Sequence, residues 1–178
     1  MNTIPHLKLY QAELLAQQVL NELQPHCERI EIAGSIRRKK PMCGDIEIVC
    51  IPKIRPVSTG LFVDDFAATI LQWPKVRGEP DGRYTQRLYP IDDTHNFKLD
   101  IFICEPANWG YIYFIRTGSA SFSAWAARRW KKAGYEGQQG QLVRLMDKKV
   151  MELREEADLF KLLKIDMHYL DPFNREWM

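Results

Sequence analysis

The sequence predicts an α+β fold: a sheet of short strands with flanking helices, followed by a small helix-plus-hairpin region. Three observations carry this. Between Ile30 and Ile51, two runs rich in Ile and Val, each of strand length, bracket a polar loop holding Gly34 and Gly44. From Val76 to Glu105, turn signals at Asp81-Gly82 and Asp92-Asp93 separate YTQRLYPI from NFKLDIFICE, the pattern of a β-meander. Past Pro106 the composition shifts to helices rich in aromatic and basic residues, with a hairpin among them.

The 178 residues suffice for one domain or two small subdomains with a real core, and 46% hydrophobic content marks a globular chain. Net charge is only +2, so affinity for nucleic acid has to come from clustered cations. The four cysteines form no CxxC pair and lie in or beside apolar runs; they read as reduced, semi-buried thiols of a cytoplasmic protein and not as zinc ligands. There is no signal-peptide pattern and no membrane-spanning run.

In chain order, Leu7 to Leu23 keeps apolar residues at Leu7, Leu14, Leu15, Val19, Leu20 and Leu23, a helical stripe that Pro25 closes. Glu28 to Ala33 begins the sheet. Pro52 to Gly60 is a punctuated loop, and Phe62 to Trp73 reads as a crossover helix with Asp64 and Asp65 in its first turn. In the second meander strand Phe97, Leu99, Ile101 and Ile103 share one face, and Lys98, Asp100 and Phe102 the other. Asn108 to Ile115 is a short aromatic helix. Ser119 or Ser121 caps the next, which Gly134 ends after Ala133. A hairpin (YEGQQGQLVRLMDKKVM), a helix from Glu155 to Leu163 and a tail from Asp171 to Glu176 complete the chain.

The chemistry is concentrated in IEIAGSIRRKKPMCGDIEIVCI. Asp45 and Glu47 are two apart on a strand, so both carboxylates leave one face while Ile46, Ile48 and Cys50 leave the other. Acids crowded in this way repel unless a cation sits between them, and hard oxygen ligands suit magnesium. The preceding loop supplies an anion cradle: Gly34 allows close backbone approach, Ser35 adds a hydroxyl, and Arg37 and Arg38 offer charged forks. The plain alternative is a hairpin with a solvated basic turn and an acidic outer face; the ordered unit favours metal and phosphate. Asp100, embedded in LDIFI, completes a three-carboxylate cluster if its strand lies beside that of Asp45, and otherwise faces water from an edge. Around Trp130, Arg128, Arg129, Lys131 and Lys132 form either a solvated face or a nucleic-acid contact.

These stretches together resemble the DNA polymerase beta family, also called family X, of the nucleotidyltransferase superfamily. The resemblance rests on GSIRRKKPMCGDIEI, KLDIFI, TGSASFSAWAARRWKKAGY and EADLFKLLKIDMHYLDPFNRE, four separated motifs in order, and it covers nearly the whole chain from Leu7 onward. It implies a nucleotidyltransferase palm, a mixed β-sheet with flanking helices, over residues 1–105. A C-terminal subdomain that binds the nascent base pair would span 106–178, with no lyase or helix-hairpin-helix domain and only weak, salt-sensitive DNA affinity.

The implied activity is metal-dependent transfer of deoxynucleotides from a nucleoside triphosphate to a primer 3′-hydroxyl in short-gap repair. Asp45, Glu47 and Asp100 would be both catalytic residues and the ligands of two magnesium ions, with manganese the alternative metal. Gly34, Ser35, Arg38, Gly44, Gly118, Ser119 and Ser123 would bind the nucleotide. Arg37, Lys39, Lys40, Arg128, Arg129 and Lys131 would contact the primer-template or gapped duplex, with a structural role as the other option for Arg37. A monomer in the cytoplasm is expected, host cytoplasm if the chain is viral or phage-encoded.

The chain departs from the family pattern at four points. The second acid is Glu47 where Asp is usual. Ile115-Arg116 stands where the family often has the Tyr-Phe pair that blocks a ribose 2′-hydroxyl, while Tyr113-Phe114 comes two residues earlier. Ser123 and Ala127 replace polar residues that touch the base and minor groove, so low fidelity is expected. Template-independent transfer, transfer to RNA or protein on the same triad, and an inactive DNA-binding adaptor are the other classes.

Overall fold

The computed structural model describes residues 2–53, 55–56, 62–63 and 65–176. In order they form β1 (Asn2–Thr3), β2 (Leu7–Lys8), α1 (Leu9–Leu23), β3 (Cys27–Ile32), α2 (Gly34–Arg37), β4 (Met42–Cys43), β5 (Ile46–Pro52), β6 (Arg55–Pro56) and β7 (Phe62–Val63). Then come α3 (Asp65–Leu71), β8 (Lys75–Arg77), β9 (Tyr84–Pro90), β10 (His95–Ile103), α4 (Trp109–Thr117), α5 (Ala120–Lys132), β11 (Tyr135–Gln138), β12 (Gln141–Arg144) and α6 (Glu156–Leu163). Short 3₁₀ turns cover Met167–Leu170 and Pro172–Arg175. The fold is α+β, as the residue patterns predict.

The main sheet is mixed, in the order β3-β5-β10-β9-β8, with β1 beside the start of β10. β5 and β10 run parallel, and β3, β9 and β8 join antiparallel. Parallel neighbours need a long crossover, and the α3 to β9 segment supplies it. The back face of the sheet is core: Ile46, Ile48 and Cys50 of β5 and Phe97, Leu99 and Ile101 of β10 pack with α1 and α3 residues. The front face changes character along its length. It carries Asp45, Glu47, Lys98 and Asp100 first, and then Val49, Ile51, Phe102 and Cys104, which pack beneath Trp109 of α4. A second cluster joins α4, α5, β12 and α6 through Phe114, Phe122, Trp130, Leu142 and Phe160.

Several elements differ from the sequence expectation. α1 begins at Leu9, because Leu7–Lys8 pairs with Met42–Cys43 as a strand. Its buried stripe is Ala12, Ala16, Val19 and Leu23, while Leu14 is 65% exposed. Small alanines let the helix approach the sheet where leucines would stand it off. Phe62–Val63 pairs with Arg55–Pro56 as a strand, so the following helix starts only at Asp65; Asp64 and much of the expected 52–60 loop lie outside the described residues. α4 runs on through Ile115 and Arg116 to Thr117. Of the two serines, Ser119 caps α5, accepting from the Phe122 N–H, and Gly134 follows at φ +82°. All four cysteines are free and buried. Among the described residues no helix is long and apolar enough to cross a membrane.

Candidate active site

Strand register assembles the acids. Asp100 is the Cα partner of Glu47 across the parallel β10–β5 pair, and Leu99 pairs with Ile46, so Asp45 precedes β5 on the same side as Glu47. Paired residues of a parallel ladder present their side chains on the same face. Since Leu99, Ile101, Ile46 and Ile48 all point into the rear core, the three carboxylates share the front. Burial and crowding are visible in the acidities of Glu47 and Asp45. Burial first, then Asp45 and Asp100, pushes the Glu47 carboxyl up to about 8. Burial and the nearby Asp100 also raise Asp45.

The acids differ in how they are held. Asp100, 8% exposed, accepts from the Tyr84 hydroxyl at 2.5 Å and from the Gln86 amide at 2.7 Å, both on Oδ1. Neither Asp45 nor Glu47 shows a hydrogen bond to its side chain among the described residues. Burial and the bond to Asp100 push the Tyr84 phenol up to about 12.

Gly34 opens α2 at φ +61°, and the preceding Ala33 N–H donates to the Glu47 carbonyl at 2.8 Å. A Cβ on Gly34 would lie 1.9 Å from Glu47 Oε2. The backbone angle favours glycine, and an added methyl group would have to push the Glu47 carboxylate aside. The neighbouring Ser35 hydroxyl is buried and, among the described residues, has no hydrogen-bond partner beyond the nearby Cys43 thiol, which leaves it largely uncommitted beside the acids' strand.

The arginines that follow are engaged inside the fold. Arg37 forms a two-pronged ion pair with Glu156 at 2.9 and 3.1 Å, donates to the Thr117 hydroxyl, and lies 3.8 Å from the centre of the Tyr113 ring. This geometry suits a structural role. Arg38 is buried and donates to Glu176 and to the Thr117 carbonyl. Lys39 pairs with Glu13 at 2.6 Å and Lys40 reaches Glu176 at 3.7 Å. Gly44 is half-buried, and a Cβ there would meet His6 and the Pro5 carbonyl at an ordinary 3.7 Å.

Gly118 (φ +71°) is buried beside the Arg38 guanidinium. Ser119 is committed to its helix cap and to the Arg175 carbonyl at 2.7 Å. The Ser123 hydroxyl bonds back to the Ile115 carbonyl at 3.3 Å, and Ala127 packs against the C-terminal core. On α5, Arg128 and Lys131 are exposed, whereas Arg129 donates to the Leu163 and Lys164 carbonyls at the end of α6. The α4 aromatics turn away from the acids: Tyr113 donates to the Ile32 carbonyl, and Phe114 is fully buried.

Arg116 enters the sequence reading only as a departure from the Tyr-Phe pair, with no role at the site. Its guanidinium lies 4.0 Å over the Phe102 ring, and burial lowers its pKa below the usual arginine value, against the opposing pull of Glu47, Tyr84 and Asp100. A lone cation following an aromatic run carries no signal in the sequence; the fold sets it over Phe102, within electrostatic reach of Glu47 and Asp100. A cleft of about 510 Å³ opens alongside, lined by Tyr84, Phe102, Asn108, Ile112 and Arg116 among others.

Among the described residues no trio of His, Cys, Asp or Glu side chains already stands in chelating geometry. The donor chemistry nevertheless fits a hard divalent ion: two carboxylates lack hydrogen-bond donors, and Asp100 keeps Oδ2 free of them.

No protein-family model matches the chain, and no curated protein sequence does. Among solved structures, the crystal structure of Leishmania infantum polymerase beta in a ternary P/T complex superposes with a TM-score of 0.70 at 20% identity. The match covers 97% of this chain and 77% of that one, so the polymerase beta-like fold is shared.

Proposed function

We propose that the protein is a metal-dependent nucleotidyltransferase, and specifically a minimal DNA polymerase that adds deoxynucleotides to a primer 3′-hydroxyl in short gaps. The observation that carries this is the pairing of Asp100 with Glu47 across parallel strands, on the face that Asp45 shares. The likeness in fold to Leishmania infantum polymerase beta supports it.

Asp45, Glu47 and Asp100 would hold two Mg²⁺, or Mn²⁺, which when bound neutralise the reacting phosphate and acidify the attacking hydroxyl. That hydroxyl gives up its proton to water and forms a bond to the α-phosphorus while the bond to the bridging oxygen breaks, and pyrophosphate leaves with that electron pair. Asp100 faces the hydroxyl with Oδ2. Gly34 and the largely uncommitted Ser35 hydroxyl receive the triphosphate, which draws Arg38 from Glu176. Gly118 lets the sugar approach the backbone, and the α5 cations Arg128 and Lys131 face the DNA phosphates. Residues 1–105 serve as the palm and 106–178 as the subdomain over the nascent pair.

The test is incubation with Mg²⁺, all four deoxynucleotides and a duplex carrying a one-nucleotide gap, against a lone single strand. Templated addition at the gap alone is expected. Equal tailing of the single strand would replace the polymerase by a template-independent transferase, and failure of both would end the reading. In the same assay, frequent mismatch insertion and extension is expected.

A further inference from the structure

We propose that Tyr84 and Gln86 are positioning residues for Asp100, locking Oδ1 from the neighbouring strand so that Oδ2 alone meets the reacting centre. This rests on the reading of Asp45, Glu47 and Asp100 as the metal-binding triad. Gln86 is the Cα partner of Asp100 across the antiparallel β9–β10 pair, and Tyr84, two residues away on β9, lies on the same face. Both donate to one oxygen, at 2.7 and 2.5 Å, while Oδ2 accepts no hydrogen bond among the described residues.

The proton assignments are forced by the partners. Arg77 donates to the Tyr84 oxygen from Nε at 3.1 Å and Nη2 at 2.9 Å, and a guanidinium has no acceptor, so the phenol proton can go only to the carboxylate. An ionised carboxylate accepts only, so Gln86 must present its amide NH₂. The phenol is also fixed by packing: its ring stacks on Phe102 with centroids 5.0 Å apart at 25°, and Arg116 covers Phe102. Asp45 and Glu47 have no such donors among the described residues. Asp100 is therefore the one acid oriented before any ion arrives, and its χ2 rotation is removed in advance. Since misplacement of a reacting group by about 1 Å can cost about 10²-fold, a pre-set Asp100 acts on the chemical step and not on nucleotide capture.

The experiment compares wild type, Tyr84→Phe, Gln86→Leu and the double variant in single-nucleotide gap filling. Mn²⁺ binding is followed in parallel by electron paramagnetic resonance, with nucleotide and a dideoxy-terminated gapped duplex present. Each single change is expected to lower kcat by about tenfold and the pair by up to about a hundredfold. The nucleotide KM and the Tm should stay near wild type, and the double variant should hold fewer Mn²⁺ ions. Unchanged kcat and Mn²⁺ binding overturn the inference alone, as does a parallel change in KM and Tm, which marks a merely structural pair. A wild type with neither gap filling nor Mn²⁺ binding overturns the reading of the site and this inference with it. Should the double variant not fold, Gln86→Leu by itself decides on the same criteria.

Discussion

At the residue scale, Glu47 sits across from Asp100 and beside Asp45, and its carboxyl is lifted from 4.5 to about 8. An acid whose pKa is higher folded than unfolded keeps protons on the native state through that window, so the native state loses stability as pH rises from about 5 to 8. In divalent-free buffer the Tm should fall over this range. Glu47→Gln should flatten the decline, and Mn²⁺ should restore the Tm at the alkaline end; thermal melts against pH check all three. Asp100→Ala should cut turnover by at least about 10³-fold while nucleotide binding stays measurable, because the triphosphate side keeps Asp45 and Glu47. Equilibrium binding alongside single-turnover kinetics checks it. Gly34→Ala drives a methyl group into Glu47 Oε2, and should lower kcat/KM at least about tenfold with the circular dichroism spectrum retained. The period of two made Asp45 and Glu47 legible as a pair. Tyr84 and Gln86 were not legible, because their role exists only through an antiparallel register that local sequence does not encode.

At the element scale, the turn that opens with α2 is bolted to the chain's end. Glu156 at the start of α6 accepts from Arg37 and, at 2.7 Å, from Arg175, which is fully buried. Arg38 and Lys40 meet Glu176. Removing the shared anion leaves two guanidiniums facing each other without compensation, so Glu156→Ala should cost about 3–5 kcal/mol in chemical denaturation. In the sequence these residues read as a basic loop and a polar tail more than a hundred positions apart. Nothing in either stretch indicates that one neutralises the other, which is why Arg37 stood open between a DNA contact and a structural part. The front face of the sheet follows the same logic. Alternation assigns Glu47, Val49 and Ile51 to one side, but only the docking of Trp109 decides where that side stops being wet and becomes core.

At the scale of the whole molecule, a net charge of +2 means that the proposed affinity for DNA has to come from local patches, such as the exposed Arg128 and Lys131 on α5. Binding to a gapped duplex should weaken steeply with salt. The variant Arg128→Ala/Lys131→Ala should bind all sequences more weakly, with the log–log salt slope shallower by about 2. Fluorescence anisotropy across a salt series measures it. Arg129 is left out of that pair because it is spent on the end of α6.

Local pattern was enough for the α+β class, the strands carrying Glu47 and Asp100 with Asp45 one residue ahead of the first, the glycine that lets the chain turn against them, and the serine-capped basic helix. All of these rest on periodicity, backbone freedom or capping, which act within a few residues. It took the assembled fold to set β10 parallel to β5 with Asp100 opposite Glu47, and to bring β9 over to hold Asp100. The fold also decided that Arg37 and Arg38 are claimed by acids from the far end of the chain. Those outcomes depend on which surfaces bury against which, a choice made by the packed core as a whole and carried by no single stretch of it.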